Sequence, residues 1–221
     1  TAEAERRRVT AIASDPQQVL DAQATTQVLQ ADGVRLVSDG RLADAIEVLT
    51  EAHGIAARAG IKNTYVLPSL VWLATANRLA AQRVGASASN ANEPPSRDLL
   101  PKDVDRATLL QRAARAAAQA TRIARTFQND LPHALREQGL VAGLQGRDAA
   151  TRAALNESLA VAERQHARYE QALTLLARGR LGRKLGWADA ASDLQSGDEL
   201  LRSLTGSPDV VSFAETLSDC S

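Results

Sequence analysis

The chain has 221 residues, enough for a substantial core, and its 44% hydrophobic and 24% charged content is that of a folded globular chain. Aromatics make up only 3%, which favours helices over sheets, because aromatic and β-branched residues are the usual strand formers. Twenty-six basic residues balance 26 acidic ones, which argues against a general nucleic-acid binder, and no apolar run reaches the roughly 20 residues of a bilayer span.

No signal peptide opens the chain, so the cytoplasm is the expected location. The single cysteine, Cys220, excludes an intrachain disulfide framework and has nothing near it in sequence to activate it. The chain starts at Thr1 and contains no methionine, which reads as an excised piece of a longer protein.

Residues 1–15, with Arg6, Arg7 and Arg8, read as a tail or a frayed helix. Asp15-Pro16 then starts a helix, aspartate as N-cap and proline in the first turn, which runs to Asp39 and stops at Gly40. Leu42, Ala45, Ile46, Leu49, Ala52 and Ala56 form the stripe of a second helix ending near Gly60. A one- or two-residue break at glycine forces these two helices antiparallel.

A third helix is expected over 65–84, with Leu70, Val71, Leu73, Ala74 and Leu79 in the core. Residues 85–102 have loop composition, and a fourth helix covers 103–127, where Arg106, Arg112, Arg115, Arg122 and Arg125 read as a solvated face. Asn129-Asp130-Leu131-Pro132 restarts the chain, with Asp130 as cap. Helices over 132–145 and 147–165 meet at Gly146, and helices over 168–185 and 187–204 meet at Gly186. Residues 205–221 read as a linker.

The informative signal is a glycine spacing used three times. Gly33 and Gly40, Gly139 and Gly146, and Gly179 and Gly186 are each seven residues apart. The first of each pair falls inside a helix, where glycine costs about 1 kcal/mol relative to alanine, so its recurrence signals close helix packing. The second can take the left-handed conformation that ends a helix. Five residues later stand Ala45, Thr151 and Ala191, with Leu49, Leu155 and Leu194 beyond them in the second helix of each pair.

These residues resemble the small-residue pattern of the tetratricopeptide repeat family. The match is best at Gly33, Gly40, Ala45 and Ala52, moderate at Gly139, Gly146, Leu155 and Ser158, and weaker at Gly179, Gly186 and Ala191. The 40-residue separation of Gly139 and Gly179, and the stretch from Leu131 to Leu194, are similar to the helical region of large bacterial signalling ATPases. In those proteins an ATPase module precedes the repeats, and a histidine kinase, nucleotide cyclase or DNA-binding output domain follows. The resemblance implies an all-α superhelix of about four antiparallel hairpins, over 16–60, 64–127, 131–165 and 168–204, acting as a scaffold that binds a partner.

Catalytic signatures are sparse. His133 with Glu137 and His166 with Glu170 stand at i, i+4, but two ligands do not make a metal site, and both read as surface pairs. No nucleophile elbow, phosphate-binding loop, dinucleotide motif or zinc-protease motif occurs. Arg178, Arg180, Arg183 and Lys184 could meet an acidic peptide or a phosphate, although cations near a helix C-terminus are favourable in any case. Trp72, Trp187 and Tyr169 read as packing residues.

The expected function is therefore non-catalytic, with no cofactor and no metal. A peptide, partner protein or neighbouring domain would lie in a groove lined by the first helix of each hairpin, without direct contact to nucleic acid or membrane. Gln27, Gln30, Arg35, Arg136, Gln138, Arg178 and Arg180 are the exposed candidates for contact. The alternatives are a helical small-molecule sensor with a pocket between hairpins, or a structural spacer.

Overall fold

A computed structural model describes residues 16–89, 104–204 and 208–218. Every described element is helical. The helices are α1 (Pro16–Ser38), α2 (Leu42–Arg58), α3 (Leu67–Ser89), α4 (Arg106–Ala124), α5 (Leu131–Leu144), α6 (Asp148–Arg164), α7 (Arg168–Leu185), α8 (Ala190–Leu204) and α9 (Pro208–Ser218). A 3-10 turn, Gln128–Asp130, leads into α5. The expected tail over 1–15, with Asp15 as cap, and residues 90–103 of the expected loop lie outside the described residues.

The densest packing joins α1 to α2, α3 to α4, α5 to α6 and α7 to α8, three of them the pairs expected from the glycine breaks and α3 with α4 the pair expected across the loop. Each second helix then packs on the first helix that follows it, and the first helices α1, α3, α5 and α7 touch one another in series. Leu42, Ala45, Leu49, Ala52 and Ala56 of the α2 stripe are buried, with Ile46 half-buried. Each fully buried leucine in these seams is worth about 1.5–3 kcal/mol of apolar transfer.

The glycine pairs divide their work as the spacing suggests. A Cβ at Gly33 would fall 2.5 Å from Leu49 Cγ, one at Gly139 2.8 Å from Leu155 Cγ, and one at Gly179 2.5 Å from Leu194 Cγ. Gly40, Gly146 and Gly186 take φ near +70°. At all three turns the N–H beyond the glycine donates five residues back, from Arg41 to Leu36 O, Arg147 to Ala142 O and Trp187 to Gly182 O, and at the first two a bond from the glycine N–H to the carbonyl three residues back closes the motif. The α6–α7 turn uses the same bonds, with His166 at φ 54° in the glycine position.

Four details differ from expectation. Helix α3 continues through Gly85 to Ser89, and the Arg106 side chain lies against Gly85, so the loop starts later than composition indicates. Asp105 caps α4 by accepting from Thr108 N at 2.6 Å, whereas Asp130 makes no side-chain capping bond. In the third glycine copy the buried alanine is Ala190 and Ala191 is exposed, because α8 begins four residues after Gly186 while α6 begins two after Gly146. Finally, the stretch expected to be a linker contains α9, whose Ala214 and Leu217 are buried.

Candidate functional site

The residues proposed for contact do not form one surface. Arg35 is exposed and pairs within its own helix, with Asp32 at 3.3 Å and Asp39 at 3.0 Å; such exposed pairs contribute little. Arg136, expected outside, is 1% exposed and ion-paired to Glu170 of α7, its Nε without a partner. Gln138 is half-buried and accepts a long bond from Thr121 Oγ1. Arg178 clasps Asp193 of α8 with two nitrogens, Nε at 2.6 Å, and reaches Asn156 at 3.2 Å, so it ties α7 to its hairpin partner and to α6. Arg180 is half-buried, while Arg183 and Lys184 are exposed. Gln27 is exposed, and Gln30 is half-buried with Oε1 lacking a partner.

The charged centre of the molecule lies elsewhere, on the faces that α3 and α5 turn towards each other. Arg78 and Glu137 are both fully buried and bidentate, Nε to Oε2 at 2.7 Å and Nη2 to Oε1 at 3.0 Å. Arg78 Nη1 also donates to Gln82 Oε1 at 2.7 Å, and Nη2 donates to the Leu217 carbonyl of α9 at 2.8 Å. Taking two charges out of water costs several kcal/mol per ion, and only dense hydrogen bonding of this kind offsets it.

One turn away, His133 Nε2 bonds to Thr75 Oγ1 at 3.0 Å and stands 3.9 Å from Glu137 Oε1. Trp72 meets the His133 ring edge-on at 4.9 Å and stacks parallel to Phe213 of α9 at 6.1 Å. Burial holds the His133 imidazole well below its ordinary range, and the nearby Arg136 and Arg78 charges push it the same way. His133 and Glu137 are therefore not the surface pair that their spacing suggested. His166 is exposed, and its expected partner Glu170 pairs with Arg136 instead. Glu170 also acts on Asp130, whose carboxyl is raised to about 6, first by burial and then by that neighbouring charge.

The hydroxyl–imidazole contact of Thr75 and His133 is enclosed, at 0% and 6% exposure, so it is not presented to a substrate. Among the described residues no group of three or more His, Cys, Asp or Glu is placed to hold a metal ion. No described helix is long and apolar enough to cross a membrane. What the arrangement offers is a helix-lined surface on α3 and α7, with α9 lying on it. Comparison with protein-family models, curated proteins and solved structures found no match to this chain.

Sequence reasoning passed over Arg78 and read Glu137 only as a surface partner of His133. The available signal was Arg78 itself, set in the otherwise weakly polar run Leu70–Ala81 of α3. A charge in such a run must find a partner or stay out of the core. Which carboxylate answers it, 59 residues away, is a matter of how the hairpins stack.

Proposed function

We propose that the chain is a tetratricopeptide-like α-α superhelix that serves as a non-catalytic interaction and regulatory scaffold of a bacterial signalling protein. A peptide, partner protein or neighbouring domain binds along its first helices. One observation carries this reading: the surface shared by α3 and α7 already holds a helix, α9, through an aromatic stack and a backbone carbonyl. A stack of hairpins whose first helices touch in series would present such a surface on its concave side. Recognition of a helix in a groove needs only apolar anchors at helical spacing and a few fixed polar contacts.

Cross-linking mass spectrometry on partners captured by the chain tests the proposal. Cross-links should gather on α1, α3, α5 and α7, and a distribution confined to α2, α4, α6 and α8 would defeat it. The second reading, a small-molecule sensor, is supported by a cleft of about 460 Å³ bounded by Asp39, Gly40, Gln82, Arg83 and Thr216. That volume falls in the range of roughly 300–1,000 Å³ usual for small-ligand sites. A thermal-shift screen with metabolites would favour the sensor if a hit lost its effect in Gln82→Leu while the variant kept its own melting transition.

A further inference from the structure

Helix α9 packs on α7 and reaches α3, where Phe213 stacks on Trp72 and the Leu217 carbonyl meets Arg78. Ala214, Leu217 and Ser218 are at most 2% exposed, and Val211 and Phe213 pack beside them, so one face of α9 is committed to this surface. We infer that α9 is an internal occupant of the partner groove: the groove accepts an amphipathic helix carrying an aromatic residue four positions before a last-turn carbonyl, and a partner helix enters as α9 leaves. The inference rests on the scaffold reading above and adds to it the class of ligand and a built-in competitor.

Three features fit an exchangeable occupant. First, α9 has only 11 residues, and isolated helices shorter than about 12–15 residues are marginal in water, so its order depends on the surface beneath it. Second, its contact with Arg78 uses a carbonyl of the last helical turn, which has no acceptor role inside the helix. Any helix ending at the same place, or a carboxylate there, offers Arg78 an equivalent acceptor. Third, Arg78 keeps Glu137 and Gln82 when α9 departs, so the groove floor is not left with an uncompensated charge. Trp72, held edge-on by His133, would then show a flat face to an incoming aromatic ring.

The test uses the full chain and a fluorescein-labelled peptide with the sequence of residues 206–221. Phe213→Asp with Leu217→Asp should undock α9, seen as rapid hydrogen exchange of its amides while α5 and α7 stay protected. If α9 is docked nine-tenths of the time in the unaltered chain, the peptide should bind the variant about tenfold more tightly, since apparent affinity scales with the open fraction. Adding Trp72→Ala to the variant should abolish that binding.

Equal binding to both chains would overturn the inference and leave the scaffold reading standing, because the groove would be a receptor without an internal competitor. No binding to a variant whose α9 is demonstrably undocked would overturn both. Should the double aspartate variant lose its cooperative melt, Phe213→Ala with Leu217→Ala takes its place. Hydrogen exchange of the unaltered chain gives an independent reading: α9 must open before α5 and α7, and opening together with them sinks the idea.

Discussion

His166 shows how one residue can be out of step with its neighbours. It occupies the left-handed position that Gly40, Gly60, Gly146 and Gly186 fill at other turns, and its side chain is exposed. A side chain there costs about 1–2 kcal/mol, partly matched by the extra freedom that glycine would give the unfolded chain. His166→Gly should therefore stabilise the protein by about 0.5–1 kcal/mol, read from the urea midpoint. Asp130 is a second such residue, its carboxyl raised from 3.8 to about 6 by burial and by Glu170. Between those pH values the folded state holds more protons than the unfolded one, so stability falls as pH rises through the window. Asp130→Asn should gain about 1–2 kcal/mol at pH 7.5, allowing for the solvent that still reaches the group, and the gain should shrink towards zero at pH 4. Urea titrations at the two pH values decide this, and a gain that persists at pH 4 would rule out the electrostatic cause.

At the scale of the helices, the three mid-helix glycines do one job with different tolerance. A Cβ at Gly139 meets mainly the Leu155 side chain, whereas at Gly179 it would also meet the backbone of α8, Ala190 O and Leu194 N, each at 2.9 Å. A side chain has some room to shift, and a helix backbone shifts only by moving the whole hairpin partner. Gly139→Ala should cost about 1–2 kcal/mol after the gain in helix propensity, and Gly179→Ala about 3 kcal/mol. Thermal or urea unfolding of the two variants gives the order, and the reverse order would mean that the crossings are not equivalent. The repeated spacing made these crossings legible in the sequence. The shift to Ala190 was not, because it depends on a longer turn in which Trp187 packs on Gly182 and Arg152 lies 4.9 Å over the indole.

Across the whole molecule, Arg78 and Glu137 join the second hairpin to the third and, through Leu217, to α9. Removing one partner of a buried ion pair leaves a charge without compensation and costs about 3–5 kcal/mol. Glu137→Gln should lose about 3 kcal/mol in urea unfolding, while the paired change Arg78→Met with Glu137→Leu should lose much less. A loss in the pair equal to that in Glu137→Gln would show that packing, and not the stranded charge, sets the cost. The polar contacts between hairpins, such as Arg83 to Gly40 O at 2.7 Å and Ser158 to Thr174 at 2.9 Å, come from residues far apart in sequence. No local pattern marks them.

By itself the sequence determined eight of the nine described helices, the turns at Gly40, Gly146 and Gly186 and the pairing of helices across those turns. Each of these depends on interactions within a few residues of chain, or across one short turn. Tertiary structure alone decided that Arg136 and Arg178 serve as internal ties, that His133 and Glu137 are enclosed, and that α9 folds back over the first helices. A charged residue reads the same in sequence whether water or a carboxylate from another hairpin surrounds it, and only the stacking of hairpins settles which of the two it meets.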